Sequence, residues 1–293
     1  MLTSREKLGL ALGFAGVCLF GGTLPATRLA VVSFDPFFLS SARAVVAGLL
    51  GLATLLITRR TWPNRQTFIE LMITGVFTVF AFPILLALGL QTVPAAHGGV
   101  VLGVMPLGTA IAAMVLAQER PSAGFWFAAA AGGAIVLAFV FWRSGHFAVE
   151  AGDLYLLGVV VVGALGYTMS GKLSRQMPGW EVISWQVVFY LPLTIAASLW
   201  WWPGPGFSPT PPAWAGFAYV ATVSMFSAFF VFNAGMAMAG IARVGQLNLL
   251  QPFVIVALSI PVNDEPFEPV TVLFAAAVVV TVMIGQRMRV SRA

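Results

Sequence analysis

Charge is the scarcest property of this sequence. Of 293 residues, 15 are Lys or Arg and 10 are Asp or Glu, so 9% carry charge. A soluble domain typically has about 25%. Too few charged groups are present to cover the surface of a water-soluble protein of this size, and a cytosolic enzyme is excluded. Cysteine is nearly absent: Cys18 stands alone, so no internal disulfide framework exists. It reads as a small buried hydrophobe. Histidine is limited to His97 and His146. No Ser/His/Asp set, phosphate-binding loop or Cys/His metal spacing occurs, so no catalytic residue, metal site or cofactor is expected, and the chain is not read as an enzyme. His146 and Glu150 stand four apart and read as a solvated loop pair. The net charge is +5, yet the basic residues are scattered singly, so a nucleic-acid partner is not expected.

Apolar residues fill the space that charge leaves: 59% of the chain, with a mean hydropathy of +0.94. The apolar runs are continuous and do not alternate, which excludes a β-barrel. A membrane-crossing helix needs about 20 apolar residues. Ten such runs are legible between Pro, Gly, Asn and charged breaks. They predict α1 over Leu8 to Val32, α2 over Pro36 to Thr58, α3 over Thr67 to Leu90, α4 over Pro94 to Ala117 and α5 over Pro121 to Trp142. The second five are α6 over Gly152 to Leu173, α7 over Trp180 to Trp201, α8 over Pro212 to Met236, α9 over Gly240 to Val262 and α10 over Phe267 to Met288. The first run follows Arg5 and Lys7, is long and lacks a small-residue cleavage pattern, so it reads as a retained helix.

Connecting segments on one side hold Arg5, Lys7, Arg59, Arg60, Arg65, Arg120, Arg175, Arg287, Arg289 and Arg292. The other side holds the basic residue Arg143 among the acids Asp35, Glu150, Asp153, Asp264, Glu265 and Glu268. This asymmetry puts the basic side and both termini of a multi-pass membrane protein in the cytoplasm. Trp62, Trp142, Trp180, Trp200, Trp201, Trp202 and Trp214 fall at the expected interfaces.

The chain also matches itself. Displaced by 146 positions, Phe80 falls on Phe226, Gly89 on Gly235, Gly99 on Gly245, Pro106 on Pro252 and Glu119 on Glu265. Displaced by 144, Gly22 falls on Gly166, Arg28 on Lys172 and Ser40 on Ser184. The expected units are residues 1–147 and 148–293, five helices each. Five is odd, so the halves enter the bilayer in opposite directions. The fold class is therefore an all-α membrane protein of ten transmembrane helices, built as two inverted five-helix repeats around a central cavity.

The stretch Gln91-Thr92-Val93-Pro94-Ala95-Ala96, with Pro106, Glu119 and Gly132-Gly133, resembles the repeat unit of the EamA-type branch of the drug/metabolite transporter superfamily. The second copy runs from Met238-Ala239-Gly240-Ile241-Ala242 through Gln251-Pro252 to Glu265, with Gly240 in place of Pro94 and Pro266 in place of Arg120. Within that branch the chain most resembles the YddG-type aromatic amino-acid exporters. The resemblance implies a transporter of small organic solutes.

Candidate solute contacts come from polarity and depth. Arg43, in the outer part of α2, either steers a carboxylate or ties to Asp35. Gln246 and Asn248 are amides on α9, with Gln246 expected to face the cavity, and His97 opens α4. Phe80 and Phe226, each on an aromatic stripe, with Tyr167 and Trp185, supply apolar walls. Gly99 with Pro106, and Gly245 with Pro252, are matched hinge candidates, and Pro25, Pro83 and Pro192 are further expected kinks. No carboxylate lies at mid-depth in any predicted helix, unlike the small four-helix multidrug relatives that the resemblance brings in. A facilitator exporting aromatic or bulky apolar amino acids by alternating access is expected. The partners are then a small solute and the lipid bilayer; oligomeric state is left open. The alternatives are a multidrug exporter of methyl viologen-like quaternary cations, with cations over ring faces, and a non-transporting scaffold or membrane-embedded enzyme.

Overall fold

The computed structural model describes residues 3–93, 95, 98, 101–144, 151–263, 269–288 and 290–292. Helix is the dominant state because a backbone in hydrocarbon must satisfy its own hydrogen bonds. The starts are set by local side chains. Thr3 and Glu6 form a reciprocal cap at the first helix. Asp35 accepts from the backbone N–H of Phe37 (2.9 Å) and Phe38 (3.0 Å), with Pro36 at the first helical position. Asn64 accepts from Thr67 N (2.9 Å), and Thr210 caps the helix that begins at Pro211.

The described elements group into the ten expected segments: α1 Ser4–Val31, α2 Pro36–Ile57, α3 Arg65–Thr92, α4 Leu102–Leu116 and α5 Ala123–Ser144. The second half holds α6 Ala151–Leu173, α7 Gly179–Phe189 with Leu191–Trp200, α8 Pro211–Ala239, α9 Ile241–Gln246 continuing to Gln251–Asn263, and α10 Pro269–Arg287. Two three-residue strands, β1 Glu119–Pro121 and β2 Val290–Arg292, pair antiparallel at one end of the bundle.

The packing respects a two-fold exchange of α1–α5 with α6–α10. α1 lies along α8, as α3 lies along α6. The pairs α2 with α7, α4 with α9 and α5 with α10 map onto themselves. The fold is thus a two-repeat, all-helical membrane architecture with inverted halves. Small residues allow the closest crossing. A Cβ built on Gly235 of α8 would lie 2.7 Å from Gly13 N and from Gly9 O of α1, so only glycine permits that backbone approach.

The helices are broken where proline sits. Pro83, Pro106, Pro192 and Pro252 each occupy the second residue of a helical piece, where a missing N–H is tolerated. Before Pro83 lies a π-helical stretch, Val76–Ala81, and its repeat mate in α8 is the π-helical Val220–Ser227. Before Pro106 and Pro252 lie matching 3₁₀ turns, Leu102–Val104 and Leu247–Leu250. At Pro192, α7 bends by 50°.

Candidate functional site

An internal cavity lies where the two π-helical stretches face each other. It is small in this state, with about 20 Å³ accessible to a water-sized sphere. Phe77, Thr78, Phe82 and Pro83 of α3 form one wall, and Ser224, Met225 and Phe229 of α8 the other. Phe20 of α1, Arg43 of α2 and Val162, Gly163 and Tyr167 of α6 complete it. A π turn inserts a residue into the helical ladder and re-aims its side chains, a device common at functional sites. Here it turns two hydroxyls inward. Thr78 and Ser224 are repeat mates at a displacement of 146, one in each π-helical stretch.

Arg43 supplies the charge. It is 3% exposed, and its Nη2 donates to Ser224 Oγ at 3.3 Å. Ser224 Oγ in turn lies 2.8 Å from Thr23 Oγ1. The Nε of Arg43 is buried without a partner. Among the described residues no acid pairs with it. Asp35 is engaged at the start of its own helix, Glu6 pairs with Arg243, Glu119 with Arg175 and Glu181 with Arg60. A buried guanidinium with spare donors and no counter-ion is poised for an anionic group of matching geometry.

Around it the walls are aromatic. Phe20 lies 5.0 Å from Phe229, edge to face, and 5.6 Å from Tyr167; Tyr167 lies 6.0 Å from Phe229. On the other side, Thr78 Oγ1 donates to Gln186 Oε1 (2.9 Å), and Gln186 Nε2 donates to Ser170 Oγ (3.4 Å).

The sequence candidates divide. Arg43 and Tyr167 line the cavity together. Phe80 is not among the lining residues; it meets Tyr190 edge to face at 4.9 Å. Phe226 packs on Phe230 at 4.7 Å. Trp185 joins Trp62 and Phe189, its Nε1 donating to Glu181 (3.3 Å). Gln246 and Asn248 are buried in α9 away from the cavity; Gln246 packs against Gly285 of α10. His97 and Gly99 lie outside the described residues. Gly245 faces Thr109, where a Cβ would come within 2.7 Å of Thr109 Cγ2. Sequence reasoning misses Thr78 and Ser224. Their signal is a hydroxyl repeated at the 146-residue displacement inside apolar runs.

A second constellation closes the end of the bundle that carries both termini. Glu119 is fully buried and accepts from the N–H groups of Ile241 (3.0 Å) and Ala242 (2.8 Å), the start of α9. Arg175 pairs with the same carboxylate. Gly240, at φ +98°, makes the tight left-handed turn that presents those N–H groups. Arg243 donates to Glu6 (2.7 Å) and to the carbonyl of Met288 (3.3 Å), joining α9 to the first and last helices. Glu265, the mate of Glu119, lies outside the described residues.

Comparison with known proteins agrees with this architecture. The model of the EamA-like transporter family matches twice, over residues 7–143 and 150–284. The uncharacterized transporter YdeK of Bacillus subtilis (strain 168) is 41% identical over 275 residues, covering 94% of this chain and 96% of that protein. One crystal structure superimposes with a TM-score of 0.77 over 95% of this chain and 98% of its own, at 18% identity, which speaks to the fold. The chain belongs to the EamA-like transporter family of the drug/metabolite transporter superfamily: it is a multi-pass membrane transporter.

Proposed function

We propose that this transporter exports small organic solutes that carry a carboxylate and a bulky apolar side chain, aromatic amino acids among them. The carboxylate docks on Arg43, with Ser224 and Thr78 as neighbouring hydroxyls. The side chain lies among Phe20, Phe77, Tyr167 and Phe229. The observation that carries this reading is the buried guanidinium in an aromatic cavity, with no acid beside it among the described residues. A quaternary cation fits the same cavity poorly, because Arg43 would repel it across a low-dielectric space.

The solute moves by alternating access between the two halves of the chain, residues 1–147 and 148–293. The mated 3₁₀ turns before Pro106 and Pro252, with Gly245 at the α4–α9 crossing, are the flexing points. No carboxylate lines the cavity among the described residues, which supports facilitated export down the solute gradient. The protein sits in a bacterial inner membrane with both termini in the cytoplasm. Uptake of a labelled amino-acid panel into proteoliposomes tests the reading. Saturable flux of phenylalanine-sized solutes, with little response to an imposed pH gradient, is expected. A strict requirement for the pH gradient would overturn the facilitator mechanism, and absence of flux for the whole panel and for 3-phenylpropanoate would overturn the solute class.

A further inference from the structure

Resting on the carboxylate reading above, we infer that the site selects net-anionic monocarboxylates over zwitterions of the same shape. The argument is a charge count inside one cavity. The lining brings a single ionised group, the Arg43 guanidinium, and no carboxylate among the described residues. Its other polar groups are hydroxyls: Thr78, Tyr167 and Ser224. Two of these are already engaged, Ser224 with Arg43 and Thr23, and Thr78 with Gln186.

An aromatic or branched monocarboxylate would cancel the one charge present and leave the filled cavity neutral. A zwitterion brings the same carboxylate plus an ammonium. That second charge must leave water with neutral acceptors for company and a guanidinium nearby, and burying an unpaired charge is strongly unfavourable. The rings could receive an ammonium on their faces, an attraction that recovers only part of the lost hydration. Repeat symmetry does not supply the missing acid: the mate of Arg43 in α7 is Val187, and the neighbouring polar residue is the amide Gln186. The site is therefore one-sided, with the α2 cation bonded to the π-helical wall of α8 and the neutral α7 amide to that of α3.

Three probes share a phenyl ring and a two-carbon chain and differ in charge: 3-phenylpropanoate (anion), phenylalanine (zwitterion) and 2-phenylethylamine (cation). Their binding to the full chain in lipid nanodiscs is measured by calorimetry at neutral pH, with empty discs as the control. The expected order is 3-phenylpropanoate first, phenylalanine at least tenfold weaker and 2-phenylethylamine weakest. Arg43→Lys should keep the order at lower affinity. Thr78→Asp, which places a carboxylate on the opposite wall, should move the preference to phenylalanine.

If phenylalanine binds as tightly as 3-phenylpropanoate or tighter, and both lose affinity in Arg43→Gln, the charge selection is wrong while the carboxylate reading stands. If Arg43→Gln leaves all three unchanged, if the amine binds best, or if none of the three binds the folded protein, the carboxylate reading falls and the inference with it.

Discussion

The two halves of this transporter share their breaks and differ in what they hold there. α3 and α8 carry mated π-helical stretches, and α4 and α9 carry mated 3₁₀ turns before a proline. Even the hydroxyls repeat, Thr78 in one wall and Ser224 in the other. The partners of those hydroxyls do not. Ser224 meets the Arg43 cation of α2; Thr78 meets the Gln186 amide of α7. Arg43 has Val187 as its mate, and Gln186 has Ala42. Backbone irregularity is thus symmetric and charge is not. On the proposed reading, exchange between two access states uses equivalent flexing points in both halves, whereas a solute is asymmetric and needs its charge met once.

The largest effect should come from removing that asymmetry. Arg43→Gln keeps a polar side chain and deletes the cation, and solute affinity should fall about a hundredfold, since losing a buried charged hydrogen bond costs about 3 kcal/mol. Calorimetry on the nanodisc-reconstituted variant measures it, and unchanged affinity would erase the distinction between the halves.

The next effect is structural. Glu119→Ala leaves the N–H groups of Ile241 and Ala242 without their acceptor and removes the ion pair with Arg175. Breaking a buried pair of this kind costs about 3 kcal/mol. The thermal midpoint in detergent should drop by several degrees. A variant as stable as the parent would show that this end of the bundle is held by packing alone.

Gly235→Ala should destabilise by about 2 kcal/mol, because overpacking at a backbone contact forces α1 and α8 apart. Gly163 of α6 is a softer comparison, since its nearest neighbour is the flexible end of Met105 at 2.8 Å. Its alanine variant should shift the same melting curve less. Equal shifts would mean that the α1–α8 seam is no tighter than the rest.

Gln186→Leu should have the smallest effect. Thr78 loses a neutral partner, and a net hydrogen bond contributes about 1 kcal/mol. Solute affinity should change by about fivefold or less. A loss as large as that of Arg43→Gln would make the two walls equal contributors and break the comparison outright.

Much of the architecture is legible in the order of residues. The ten segments fall where hydropathy and proline put them, and the expected kinks at Pro83, Pro106, Pro192 and Pro252 all coincide with a break. The site is legible only in part. Arg43 and Tyr167 meet in the cavity, while Phe80 and Phe226 do not line it. The aromatic stripes of α3 and α8 assume 3.6 residues per turn, yet both run through π-helical turns. An inserted residue rotates the remainder of the helix by about 100° at that pitch, so a stripe extended through it points elsewhere. Phe77 and Phe229, on the same two stripes, do reach the cavity. Gln246 illustrates a different failure: polarity alone points this amide at the cavity, but Gly285 of α10 makes room for it between helices.

By itself the sequence determined that the chain lives in a bilayer, where its apolar helical segments fall, and that its second half repeats the first. Those properties depend on apolar run length and on the spacing of scarce residues, both of which are local. Only the tertiary structure decided what the cavity contains. Asp35 and Arg43 share one helix and invite pairing on paper. In space the carboxylate is taken by the N–H groups of Phe37 and Phe38, and the guanidinium turns inward to Ser224, 181 positions along the chain. A charge's partner is set by three-dimensional proximity and competing donors, and neither is written in the order of residues.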